Sequence, residues 1–169
     1  MKLAEERLIA ADPATVWAAM LNPDVLRQCV PGCESLTGSV ATGFEAIVVQ
    51  KVGPVKARFL GTMTMSDIVE GRSLRLSGEG KGGVAGFAKG GASVTLEAAE
   101  GGTRLTYDVD ATVGGKIAQL GSRIIEGFAK MIAGQFFDAF QHAIEVPDAT
   151  VSVENVEEKE KGWFRRLVG

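Results

Sequence analysis

Apolar positions change their spacing twice along the chain, and each change marks a new kind of element. After a first strand, Asp12-Pro13 opens a short helix: aspartate is a good N-cap and proline suits the first helical turn. Val16, Trp17 and Met20 give that helix an apolar face. Asn22-Pro23 repeats the start signal for a second short helix through Val25 and Leu26, which Pro31-Gly32 breaks. From about Glu34 to Val113 the period is two. It is clearest from Arg104 to Val113, where every second residue is apolar, and it recurs in Val94, Leu96 and Ala98 and in Phe59, Met63 and Met65. Such strands place one face on a core and the other in water, as in an antiparallel sheet. Turn signals at Gly53-Pro54, Glu70-Gly71 and Gly101-Gly102 predict hairpins rather than helical crossovers.

Near Gly115 the period lengthens. Ile117, Leu120, Ile124, Ile125, Phe128, Met131, Ile132, Phe136, Ala139 and Phe140 recur at three- and four-residue steps up to Pro147. This predicts an amphipathic helix of about 27 residues, roughly 40 Å long. One helix cannot bury such a stripe alone, so it needs the sheet. Strand, two short helices, antiparallel strands and a long helix together predict an α+β helix-grip fold. In it a curved antiparallel sheet wraps around the long C-terminal helix, commonly leaving a cavity between them. The helix-grip domain is expected over residues 1–146, followed by an acidic linker over 147–161 and an aromatic–basic tail over 162–169.

Composition narrows the function classes. With 169 residues and 17.8 kDa, the chain suits one domain with a short appendage. Net charge is −3, which argues against bulk nucleic-acid binding. The last nine residues carry Lys161, Arg165 and Arg166 with no acid, so the preceding 160 sum to −6. No apolar run reaches the ~18 residues of a membrane-spanning helix. The charged start, Met1 to Arg7, lacks a signal-peptide stretch, and the expected location is the cytoplasm, with peripheral contact at the inner face of the cell membrane.

Several short motifs carry a resemblance. Ala14-x-Val16-Trp17 after the first strand, then Cys29-Val30-Pro31-Gly32-Cys33, Val52-Gly53-Pro54-Val55, Gly102-Thr103-Arg104-Leu105 and Val113-Gly114-Gly115-Lys116 are similar to the G-subunit family of carbon monoxide dehydrogenase. That family belongs to the START/Bet v 1-like superfamily, and the likeness spans residues 1 to about 145. The resemblance implies an apolar pocket and an accessory role beside a molybdenum hydroxylase of the carbon monoxide dehydrogenase type. It also implies tethering of that enzyme to the membrane and binding of an apolar molecule such as a quinone or lipid.

The chemistry-bearing residues favour binding over catalysis. His142 is the sole histidine, so no His pair exists for a metal; on the last turn of the long helix it serves the dipole or a surface hydrogen bond. Cys29 and Cys33 have neither zinc-ribbon nor thioredoxin spacing and read as small apolar thiols. The run from Gly78 to Gly86 lacks the Ser or Thr that a phosphate loop places after its lysine; it reads as a hairpin whose glycines bend the sheet, with Gly86-Phe87-Ala88 as a secondary candidate for a pocket rim. Neither catalytic residues nor a metal or covalent cofactor are expected.

Phe59, Met63, Phe87, Tyr107, Ile124, Phe128, Met131 and Phe136 are the candidate ligand contacts, although the same positions suit a packed core. Tyr107, inward by register, needs a partner for its hydroxyl and is suited to orient a ligand carbonyl. In the tail, Trp163, Phe164 and Leu167 group on one side of a helical turn beside Arg165 and Arg166. That pattern suits weak insertion at an anionic bilayer or docking into a groove of a partner protein, and both readings stay open. Three functions follow: an apolar-ligand carrier, an adaptor with a solid core, and a superfamily enzyme of cyclase or hydratase type. The last needs pocket-facing acids or bases, whereas Asp108 and Asp110 point outward by register.

Overall fold

The computed structural model describes residues 1–151, with backbone alone from 146 onward. β1 (Lys2–Ile9) leads into α1 (Pro13–Met20) and α2 (Pro23–Cys29). Then come β2 (Cys33–Ser39), β3 (Gly43–Val52), β4 (Val55–Val69), β5 (Ser73–Lys81), β6 (Phe87–Ala99) and β7 (Gly102–Gly114), and α3 (Ser122–Val151) closes the described chain. The strands form one antiparallel sheet in the order β1-β7-β6-β5-β4-β3-β2. Hairpins join every neighbouring pair except β1 and β7, and α1 with α2 carries the chain from one edge strand to the other. The result is the helix-grip fold that the alternation and the long apolar stripe predict.

Local signals act where the sequence places them. Asp12 accepts the Thr15 backbone N–H at 2.8 Å, and Asn22 accepts those of Asp24 and Val25 at 2.8 and 3.4 Å, so both short helices start on capped turns followed by proline. Pairing sets Leu105 opposite Leu96, and Val94 opposite Tyr107 on one side and Leu74 on the other. All five are buried on the concave face, while Asp108 and Asp110 are exposed on the convex one.

Glycine permits close backbone approach where a larger residue would clash. A Cβ at Gly90 would lie 2.2 Å from the Asp110 carbonyl oxygen; one at Gly86, whose φ is +111°, would lie 2.1 Å from that of Gly114. The glycine-rich stretch is thus a hairpin around a short 3-10 turn at Gly83–Ala85.

The long helix differs from its expected bounds at both ends. A 3-10 turn at Lys116–Leu120 and Gly121, at φ +96°, separate β7 from α3, which begins only at Ser122. The backbone stays helical through Pro147 to Val151, although proline removes one intrahelical bond and crowds the carbonyl four residues earlier. Beyond Val151, the rest of the expected linker and the tail with Trp163, Phe164, Arg165, Arg166 and Leu167 lie outside the described residues.

The C-terminal half of α3 enters the concave face. Phe140 is fully buried, and Phe137 and Ile144 are buried beside it with Ile9, Val16, Trp17, Leu96 and Leu105. Phe136 meets Phe137 edge-on at 5.0 Å, and Phe137 stacks on Tyr107 at 4.9 Å. Polar contacts latch the same half to β1 and the segment after it. Arg7 reaches Asp138 at 2.9 Å and Gln141 at 2.8 Å, and the Ala10 N–H donates to Glu145 at 2.7 Å. Replacing Phe140 by Ala should cost about 3–5 kcal/mol of stability, read as a lower midpoint in urea unfolding with little change in slope; a loss under ~1 kcal/mol would mean that this end of the helix is not the packing centre.

Candidate functional site

An apolar cavity of about 260 Å3 lies under the C-terminal half of α3. α1 and α2 contribute Met20 and Leu26, with Val30 following, and β2 contributes Leu36. β3 supplies Phe44 and Ala46, β4 supplies Gly61, Met63 and Met65, and β5 to β7 supply Leu76, Val94 and Leu105. Phe136, Phe137 and Phe140 form the roof. Thr62 is the one lining residue with a polar side chain, and it belongs to the exposed, alternate set of β4. The wall therefore offers dispersion and exclusion of water, and no acid, base or nucleophile.

From Met63 and Leu76 the concave floor continues as an open trough of small residues. Gly78, Gly80, Ala88, Gly90, Ala92 and Ala111 line it. Above this end, α3 presents Ile124 and Met131, 45% and 48% exposed. Packing thus loosens along the helix: filled near Ile144, hollow near Phe136, open near Ser122.

The candidate ligand contacts divide accordingly. Met63 and Phe136 line the cavity; Phe59, Phe87, Tyr107, Ile124, Phe128 and Met131 do not. The Phe59 ring sits over Gly82, and the Phe87 ring over Gly114. Phe128 is half-buried on the N-terminal half of α3. Tyr107 is inward and buried, but it lies behind Phe137, and its hydroxyl donates to Glu5 at 2.7 Å, so it is not free to orient a ligand. The walls from α1, α2, β2 and β3 were missed. The signal available for them was the inward alternation of Phe44 and Ala46 and the apolar faces of the two short helices.

Elsewhere, Cys29 and Cys33 are free thiols. Burial pushes both up from their ordinary values, although for Cys33 a backbone hydrogen bond of Ser35 and the Arg27 charge act the other way. His142 is exposed more than two turns before Val151, not on the last turn. Among the described residues no group of three or more His, Cys, Asp or Glu side chains could hold a metal ion, and no helix is long and apolar enough to cross a membrane.

A curved sheet gripping a long helix over an apolar hollow defines the helix-grip fold of Bet v 1-like proteins. Residues 6–145 match the family described as the carbon monoxide dehydrogenase G-subunit (CoxG), and the chain belongs to that family. A conserved protein from Geobacillus kaustophilus is 27% identical, with TM-score 0.80 over 86% of this chain and 95% of that one. An uncharacterised protein from Rhizobium leguminosarum is 20% identical, with TM-score 0.67 over 86% and 94%. Ara h 8.0201 shares the fold at 17% identity, with TM-score 0.58 over 85% and 97%. No curated protein matches the chain. Family and fold together support a ligand-binding accessory protein in general terms.

The buried tyrosine supplies a pH test of the roof. Burial first, then the hydrogen bond and charge of Glu5, push the Tyr107 hydroxyl well above its ordinary value of 10.0. The folded chain keeps a proton that the unfolded chain releases above that value. The tyrosine's contribution to stability is therefore full below pH 10.0 and is lost as pH rises past it. Tyr107 is the sole tyrosine, so the phenolate absorbance should appear only together with alkaline unfolding. Ionisation while the fold is intact would show that Glu5 and Phe137 do not enclose the hydroxyl.

Proposed function

We propose that the protein is a non-enzymatic accessory subunit that holds an apolar small molecule, a quinone or a lipid, in the cavity under α3. In this reading it links a molybdenum hydroxylase of the carbon monoxide dehydrogenase type to the membrane. The observation that carries the ligand reading is the lining: around 260 Å3 of space, every inward side chain is apolar. Binding there rests on removal of apolar ligand surface from water, at ~25 cal/mol per Å2, with no polar group to demand a matching partner. Two methionines in the wall, Met63 and Met65, suit guests of varied shape. The volume falls below the roughly 300–1,000 Å3 of pockets that enclose whole drug-sized ligands. A quinone or lipid would place its apolar part in the cavity and extend along the glycine–alanine trough. Family membership supports the hydroxylase as partner.

Gly61 allows the reading to be tested without damage to the fold. It lines the cavity, and a Cβ there meets nothing closer than 3.8 Å. Gly61→Leu should fill the space while thermal unfolding stays at or above the wild-type temperature. After incubation with bacterial membrane vesicles and re-isolation, native mass spectrometry should find a stoichiometric apolar adduct on the wild-type chain and none on Gly61→Leu. No adduct on either chain would leave an adaptor that works through its surfaces alone.

A further inference from the structure

Among the connections that antiparallel topology gathers at the open end of the trough are the β3–β4 turn at Gly53-Pro54, the β5–β6 loop and the 3-10 turn before α3. They touch one another. Gly53 approaches Leu120 and Ile124, and Gly86 approaches Gly114 and Gly115. The segments 51–56, 81–87 and 113–123 carry Lys51, Lys56, Lys81, Lys116 and Arg123 and not one acid; Glu79, Asp110 and Glu126 flank them along the chain, and Glu34 at the start of β2 is paired with Arg58. All five cations are exposed, and none joins an ion pair among the described residues. At their centre Val84 is 92% exposed at the apex of a glycine-flanked loop, with Phe87 and Ile124 38% and 45% exposed nearby.

The opposite end has the other sign. There Asp12, Glu70, Glu97, Glu100 and Glu145 outnumber Arg72 and Arg104. A chain of net charge −3 thus presents, among its described residues, a concentrated positive cap at this end.

We propose that this cap docks on an anionic lipid bilayer, with Val84 entering the interface and the five cations meeting lipid phosphates and carboxylates. An unpaired cationic ring around a projecting aliphatic tip is complementary to a negatively charged, penetrable surface. A protein partner would instead call for a pocket that anchors a side chain, whereas at the centre of this cap Val84 projects outward. The acidic far end sets the orientation, because a field that attracts one end repels the other. Docked this way, the trough faces the lipid from which an apolar guest would come; the contact deepens the membrane link proposed above, and that consequence rests on the ligand reading as well. The contact belongs to the folded body and is separate from the tail.

The test is co-sedimentation of the full chain with vesicles of phosphatidylcholine and phosphatidylglycerol, against pure phosphatidylcholine. Lys51→Gln/Lys81→Gln/Lys116→Gln/Arg123→Gln should weaken binding to the mixed vesicles by about fivefold for each cation removed, with the tail untouched. Replacement of the same positions by the other basic residue should retain it. Val84→Asp alone should weaken it too, and Arg72→Gln/Arg104→Gln at the far end should not. Each variant is compared at an unchanged melting temperature. Wild-type vesicle binding by the four-site variant, or binding lost only on Trp163→Ala/Arg165→Ala/Arg166→Ala, would overturn the proposal. So would a cap whose substitution disturbs a protein complex and leaves vesicle binding intact. None of these readouts involves the bound adduct, so failure here is distinct from failure of the ligand reading.

Discussion

A straight helix cannot fill a curved sheet along its whole length, and the rest of this structure follows from where the two do meet. They meet at the aromatic cluster of Phe136, Phe137 and Phe140, closed below by Tyr107, Leu105 and Val94. Aromatic rings bury much area each and prefer offset and edge contacts, so a few of them fix both the depth and the rotation of α3. Arg7 strengthens the same end. It pairs with Asp138 and Gln141, and its guanidinium lies 5.6 Å above the Phe137 ring. With the C-terminal half of the helix held so firmly, the N-terminal half has no comparable set of contacts, and the floor beyond the cavity opens into the trough.

That graded packing separates the work of the molecule along one axis. The filled end supplies stability. The hollow middle supplies a space where apolar surface is preferred and any unmatched polar group is penalised. The open end has a floor of glycine and alanine and turns that carry cations without counter-charges. Small residues on the floor have a double effect: they let the strands bend, and they leave room above the bend. Bulkier side chains there would both flatten the sheet and fill the trough.

The side chains that line the cavity carry no charge. What charge organises is the outside, where an acidic far end and a basic cap give the molecule a direction. An apolar interior and a polarised exterior are independent features of the sequence, set by alternate positions of the same strands. In β4, Gly61, Met63 and Met65 face the cavity while Lys56 and Arg58 face water.

Much of this was legible in the sequence, for a common reason. Caps at Asp12 and Asn22, the alternation of Leu105 and Tyr107 against Asp108 and Asp110, and the stripe that includes Phe136 and Phe140 are all local: side-chain direction follows from helical or strand period within a few residues. The fold class and the facing of each element were therefore determined by the sequence alone. Boundaries were less so. Gly121 interrupts the apolar stripe ahead of Ser122, and Pro147 does not end the helix, since neither effect appears in the period. The site was the least legible part. Ile124, Phe128 and Met131 share the stripe with Phe136, yet only Phe136 reaches the cavity, because period gives a residue's face and not how far along the helix the sheet stays in contact. The contributions of Met20, Leu26, Leu36 and Phe44 depend on α1 and α2 crossing to the far edge strand, a contact between residues distant in sequence. Only tertiary structure decides where facing surfaces touch and where they leave space, because that is settled by the combined shape of all the elements at once.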